Sequence, residues 1–119
     1  MVKVSKSNQE RVVKDYDRNM VMPIFQQYYG YSDYFNLGYW SIETIDQAQA
    51  SDNLVAMVLG CIPELKGTIL DVACGMGAST RHLLKHYPPE AITGINYSGP
   101  QLARARENAP GVKFIRMDA

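Results

Sequence analysis

The sequence predicts an α/β protein in which three parallel strands, ordered 3-2-1, follow a helical, aromatic-rich segment. Three observations carry this reading. Short apolar runs at residues 68–73, 91–96 and from 112 onward alternate with two helical stretches. Strand, helix, strand, helix, strand makes two right-handed crossovers, which requires parallel strands in that order with ligands at their carboxyl ends. In Gly67-Thr-Ile-Leu-Asp-Val-Ala-Cys-Gly-Met-Gly-Ala-Ser-Thr80, an apolar strand carrying an acid runs into a glycine-rich turn and then a helix. There Gly75 and Gly77 allow close backbone approach to a ligand, and the helix that follows aims free amides at a negative group. Finally, eight of the twelve aromatic residues fall between Phe25 and Trp40, ahead of the first strand.

Taken in order, Val12, Val13, Tyr16 and Met20 recur at helical spacing and predict a short amphipathic helix over residues 8–22, ended by Pro23. Residues 25–40 have no period, because Gly30, Ser32, Asp33, Asn36 and Gly38 break the aromatic run, and they read as a second short helix and a structured loop. Thr44 and Gln47 have the spacing of a capping box, and Val55, Val58, Leu59 and Ile62 then repeat as one helical face, predicting a helix over 45–61. The first strand, 68–73, leads into a helix over 77–87 with Leu83 and Leu84 inward, stopped by Pro88 and Pro89. The second strand covers 91–96. Ser98 and Gln101 form a further capping box, with Pro100 tolerated in the first turn, opening a helix to Asn108. Pro110 and Gly111 turn the chain into the third strand.

Composition narrows the function. Twelve basic and twelve acidic side chains cancel, and no basic block accumulates, so the footprint of nucleic-acid binding is missing. No apolar stretch approaches membrane-spanning length and the opening residues 1–11 are polar, which predicts a cytoplasmic protein without a transmembrane segment. Cys61 and Cys74 form neither a CxxC pair nor a disulfide framework and read as reduced thiols. His82 and His86 stand one helical turn apart but have no third ligand at suitable spacing; flanked by Arg81 and Lys85, they read as a solvated face, and no metal site is expected.

The strand–loop–helix resembles motif I of the class I S-adenosylmethionine-dependent methyltransferases, acid-x-Gly-x-Gly-x-Gly, with Asp71, Ala73, Gly75 and Gly77 in its four positions and Ala73 in place of the first glycine. Two further stretches fall in register. Ile92-Thr-Gly-Ile-Asn-Tyr-Ser98 is similar to the end of the family's second strand, with Asn96 where an acid usually grips the ribose hydroxyls. Val112-Lys-Phe-Ile-Arg-Met-Asp-Ala119 is similar to the third, ending in the Asp118–Ala119 pair that reads adenine. Asn96, Tyr97, Ser98 and Gln101 resemble the Ser-x-x-Gln variant of cyclopropane-fatty-acid synthases and several natural-product methyltransferases. Tyr16-Asp17 and Phe35-Asn-Leu-Gly-Tyr-Trp40 resemble, more loosely, the N-terminal segment those groups fold over the cofactor.

The resemblance implies a Rossmann-like methyltransferase fold, with residues 1–44 as a helical, aromatic lid and 45–119 as the first half of the cofactor domain. A complete seven-stranded domain would take roughly 200 to 300 residues, so this chain is expected to be a fragment whose sheet edge self-associates or pairs with a complementary piece. The implied cofactor is S-adenosylmethionine. Asp71 would meet its ammonium group or organise the loop, while the backbone from Ala73 to Gly77 would hold the methionine portion. Asn96 and Gln101 would take the ribose, although the capping box is an equal use for Gln101, and Tyr97, Asp118 and Ala119 would lie at the adenine. Tyr16, Phe35 and Asn36 belong to the lid, where an aromatic face from Tyr16, Phe35 or Tyr39 stabilises a sulfonium by about 0.5 to 2 kcal/mol; a local aromatic core is the plainer use of most of the eight rings between Phe25 and Trp40. Methyl transfer is a direct displacement, so Cys74 is not expected to act as a nucleophile and no catalytic residue is assigned.

The expected activity is therefore methyl transfer to a small-molecule acceptor. Two competitors share features with it. A nucleotide-dependent oxidoreductase would need G-x-G-x-x-G, but Thr80 stands where its third glycine belongs. A non-catalytic binding or interaction module could keep the same fold without turnover.

Overall fold

The computed structural model describes residues 5–119. The first four residues of the expected lid, and the start of the polar opening, lie outside the described residues. Helix α1 (Lys6–Met20) is capped by the Ser5 hydroxyl, which accepts from the Asn8 amide. Helix α2 (Pro23–Tyr28) starts on a proline, whose missing amide costs nothing in a first turn. A loop from 29 to 46 leads to α3 (Gln47–Leu59), then β1 (Ile69–Val72), α4 (Ala78–Leu83), a 3-10 turn at Pro89–Ala91, β2 (Ile92–Asn96), α5 (Gly99–Asn108) and β3 (Lys113–Arg116).

The three strands are parallel, with β2 between β1 and β3. Register pairs Val72 with Ile95 and Ile95 with Ile115, so all three chains reach their carboxyl ends together. This is the expected α/β sheet in the expected order. One sheet face carries the core: Leu59 of α3 and Leu83 and Tyr87 on and after α4 pack around Ile92, with Ile69, Val55 and Ile62 beside them. Ile92 is 1% exposed, so its burial is worth about 1.5–3 kcal/mol. The residues that alternate with these are Leu70, Val72, Ile115 and Met117, and all four are exposed.

Gly94 makes the sheet's close packing possible. A Cβ at this position would lie 2.5 Å from the Phe114 ring and 3.2 Å from Cys74 Sγ. Register sets Gly94 beside Phe114, so the ring covers the space a side chain would fill.

Several boundaries differ from the sequence pattern for local reasons. Helix α3 starts at Gln47, because Asp46 accepts from the Gln49 amide while Gln49 Oε1 takes the Ile45 amide, a reciprocal cap shifted by two residues. Thr44 instead accepts from the Ser41 amide. Val58 is exposed and does not join the core face. Helix α4 ends at Leu83, where Lys85 and His86 turn to three-residue spacing by bonding the carbonyls of His82 and Leu83. Val12 and Tyr16 of α1 are about half exposed, because their stripe faces a cavity.

Candidate cofactor site

The cavity lies where the carboxyl ends of β1 and β2 meet α1 and the loop around Asn36, and it holds about 460 Å³, within the size range of small-ligand sites, roughly 300–1,000 Å³. Its floor is the loop after β1. Ala73, Gly75 and Gly77 all have positive φ, +57°, +55° and +81°, so the chain reverses within five residues. Cys74 keeps the loop on the sheet by donating its amide to the Ile95 carbonyl at 3.1 Å. At Gly77 a Cβ would lie 2.8 Å from Ala105 Cα, so glycine lets α4 start hard against α5. At Gly75 a Cβ would meet only Met20 Cε at 3.6 Å and Gln101 Oε1 at 3.8 Å, so the missing side chain leaves cavity space.

Asp71 closes the loop from below. One carboxylate oxygen accepts from Ser79 Oγ at 2.9 Å and Thr80 Oγ1 at 2.7 Å, fastening the start of α4 to β1. Asp71 is thus a loop organiser, acting directly through hydroxyls, and it does not line the cavity. Burial pushes the Cys74 thiol up to about 12, with the Asp71 charge adding to the effect. A thiol so hard to ionise is a poor nucleophile.

At the end of β2, Asn96 Nδ2 donates to Gln101 Oε1 at 2.8 Å. Gln101 Nε2 donates onward to Asp17 Oδ1 of α1 at 2.7 Å, and the same oxygen accepts from Ser98 Oγ at 2.7 Å. The Ser98–Gln101 capping box is therefore half formed: Ser98 accepts from the Gln101 amide, while the glutamine side chain turns to Asn96 and the lid. Tyr97 lines the wall and its ring carries the Arg116 guanidinium at 5.9 Å.

The roof comes from α1 and the loop from 29 to 46, the segment expected as a lid. Tyr16 and Phe35 meet edge to face with centroids 6.0 Å apart, and Phe35 also packs on Phe25 and Tyr29. Asn36 lines the cavity with a buried side-chain oxygen that has no partner among the described residues, while its carbonyl accepts from Gln47 Nε2 and Ser51 Oγ. Of the residues expected from sequence, Tyr16, Phe35, Asn36, Ala73, Gly75, Asn96, Tyr97 and Gln101 come together on this wall. Asp71, Gly77, Asp118 and Ala119 stand outside it; Asp118 accepts from Gln9 Nε2 at 3.0 Å instead.

The lid is held by residues that no short-range pattern reveals. Asp33, at φ +61° and with its side chain 4% exposed, accepts from Arg104 Nε and Asn108 Nδ2, each at 2.7 Å. Arg81 donates to the Ser32 carbonyl at 2.7 Å and to Asn108 Oδ1 at 3.1 Å. Behind the lid, Asp52 accepts from Tyr34 Oη at 2.6 Å, pairs with His82 Nδ1 at 2.7 Å and meets Lys85 Nζ at 3.2 Å. Burial alone would raise the Asp52 carboxyl, but the hydrogen bonds from Tyr34, His82 and Lys85 hold it down to about 2. Tyr34 is shifted upward, by burial first and then by its bond to Asp52. His82 is buried in this cluster, which corrects the expectation of a solvated histidine pair; only His86 is exposed. Among the described residues no His, Cys, Asp and Glu group could hold a metal ion, both cysteines are free, and no helix is long and apolar enough to cross a membrane.

A parallel sheet with a glycine-rich loop after β1 and a polar pair after β2, under a helical lid, defines a Rossmann-like nucleotide-cofactor domain. Residues 69–119 match the family described as methyltransferase domain. The trans-aconitate 2-methyltransferase of Acidovorax sp. (strain JS42) is 42% identical over 50 residues, which cover 42% of this chain and 19% of that protein. That of Methylobacterium nodulans is 44% identical over 50 residues, covering 42% and 19%. Among solved structures, the [4+2]-cyclase SpnF superposes with a TM-score of 0.71 at 29% identity, covering 92% of this chain and 42% of that one. Coclaurine N-methyltransferase, solved with N-methylheliamine and SAH, gives 0.64 at 17% identity, covering 98% and 39%, a likeness of fold. The matched stretch thus spans about a fifth of those curated relatives. These likenesses agree with the resemblance to the class I S-adenosylmethionine-dependent methyltransferases, for which S-adenosylmethionine is the implied cofactor.

Proposed function

We propose that this chain forms the cofactor-binding part of an enzyme that transfers a methyl group from S-adenosylmethionine to a small-molecule acceptor, with residues 1–44 as lid and 45–119 as the first half of the cofactor domain. The observation that carries the reading is the cavity at the strand ends, floored by the loop after β1 and roofed by Tyr16 and Phe35. Its groups suit the cofactor's parts. The space over Gly75 admits the methionine chain, and the unpartnered Asn36 oxygen suits its ammonium group. Tyr16 and Phe35 offer π faces to the sulfonium, Asn96, backed by Gln101, offers an acceptor to the ribose, and Tyr97 offers a ring to adenine. Asp118 and Ala119, beyond the wall, would complete the adenine end if that strand end closed in.

The cofactor supplies an activated methyl group, so the protein's task is to hold the reacting atoms in line and exclude water. The lid network of Asp33, Asn108, Arg81 and Arg104 supports this by fixing the roof to α4 and α5. Balanced charge without a basic patch favours a small acceptor over nucleic acid, and the trans-aconitate and coclaurine methyltransferases, by name, act on such compounds. A cytoplasmic location accords with this substrate class.

A second reading is cyclisation on the same fold, favoured by the likeness to SpnF over 92% of the chain. Incubation of the intact protein with S-adenosylmethionine and panels of small carboxylic acids, amines and phenols, followed by mass spectrometry, decides between them. Methyl transfer releases S-adenosylhomocysteine and adds one methyl group to the acceptor. Cyclisation leaves product mass unchanged and consumes no cofactor. Absence of S-adenosylhomocysteine with every acceptor would count against the first reading.

A further inference from the structure

Asp17 does not line the cavity, yet it is bonded to two residues that do, Ser98 and Gln101. A carboxylate accepts hydrogen bonds and donates none, whereas a primary amide has one end of each kind. Gln101 must therefore turn its nitrogen to Asp17, at 2.7 Å, which leaves its oxygen toward Asn96. Asn96 answers with its own nitrogen, at 2.8 Å, so its oxygen is the end left over where β2 meets the cavity. Ser98 holds the origin of this relay in place, since its hydroxyl donates to Asp17 while accepting from the Gln101 amide.

We propose that Asp17 is a positioning residue: through Gln101 it fixes the Asn96 amide with its oxygen toward the cavity, making Asn96 an acceptor for a ribose hydroxyl. The negative group missing at position 96 thus sits two residues back along a hydrogen-bonded chain, on the lid. The inference rests on the reading of the cavity as an adenosylmethionine site. It separates Asp17 from a simple tether of α1 to α5, because a tether does not depend on which side chain occupies position 96.

The test is calorimetric titration of the intact protein with S-adenosylhomocysteine, beside thermal unfolding of each variant. Asp17→Ala frees the relay to flip and is expected to weaken binding about five- to tenfold, the scale of one hydrogen bond. Asp17→Asn still presents an oxygen and is expected to stay within about twofold of the unaltered protein. In the Asn96→Asp background, where the carboxylate at position 96 accepts in any orientation, Asp17→Ala is expected to cost nothing. Gln101→Met, which keeps the Asp17–Ser98 bond, is expected to weaken binding with Asn96 present and far less in the Asn96→Asp background. This variant keeps the question decidable if Asp17→Ala unfolds. An equal loss in both backgrounds, or no loss in either, overturns the inference while leaving the cofactor site intact. Failure of the unaltered protein to bind overturns the functional reading, and the inference with it.

Discussion

Ala73 sits where the related motif has glycine, and its backbone adopts φ +57°. For an L-residue this region costs about 1–2 kcal/mol through the clash of Cβ with the following carbonyl oxygen. Ala73→Gly removes that cost. The side chain is exposed at the cavity wall, so its loss opens no hole in the core. Against the gain stands the wider freedom of glycine in the unfolded chain, about 0.4–1 kcal/mol. The balance is a stabilisation of about 0.5–1 kcal/mol, which for a domain of this size raises Tm by about 2–4 °C. Circular dichroism melts of the two proteins, with urea titrations to convert the shift into free energy, measure it. Removing the methyl also widens the cavity floor, so affinity for S-adenosylhomocysteine should hold or improve. Ala73→Val should move stability the other way, since a β-branched side chain tolerates this region worst. If Ala73→Gly lowers Tm, the loop does not take the left-handed turn at residue 73 and the account of its shape is wrong.

Four further outcomes are expected. Asn96→Ala should weaken S-adenosylhomocysteine binding by about 1 kcal/mol, and Asn96→Asp should preserve or improve it; no effect of either by calorimetry would remove Asn96 from the ribose contact. Gly77→Ala places a methyl 2.8 Å from Ala105 at φ +81°, so chemical denaturation should show a loss of about 2–4 kcal/mol. The Asp52 carboxyl ionises more readily in the folded than in the unfolded chain, so its contribution is complete above the unfolded value near 3.8 and is lost as pH falls toward about 2. With the side chain 37% exposed, screening reduces this contribution to about 1 kcal/mol, and Asp52→Asn should flatten that part of an acid-unfolding curve. The bare row Leu70, Val72, Ile115 and Met117 should make the 119-residue chain self-associate, so light scattering that shows a monomer across the working concentration range would refute this.

What was legible in the sequence was what local chemistry decides. Strand order followed from connectivity alone, and α5 was bounded by Ser98 and the turn at Pro110. The cavity residues at the strand ends followed from the glycine loop and the Asn96 position, because a parallel sheet brings its carboxyl ends together. Thr44 misled because it has capping spacing but its hydroxyl was taken by Ser41, leaving Asp46 to cap. His82 misled for a different reason. Its neighbours in sequence are basic and polar, while the partner that allows its burial, Asp52, lies 30 residues away. The clasp from Asp33 to Asn108 spans 75 residues, and Asp17 to Gln101 spans 84. Single polar residues paired over such distances leave no periodic trace, so the elements were readable but the clasps that set the lid over the sheet were not.

The most direct test is calorimetry of the intact protein titrated in turn with S-adenosylmethionine, S-adenosylhomocysteine and NAD. The account predicts saturable binding of the first two at one site, weakened by Asn96→Ala, and no binding of NAD. Tight binding of NAD with no signal from either adenosyl compound would contradict it.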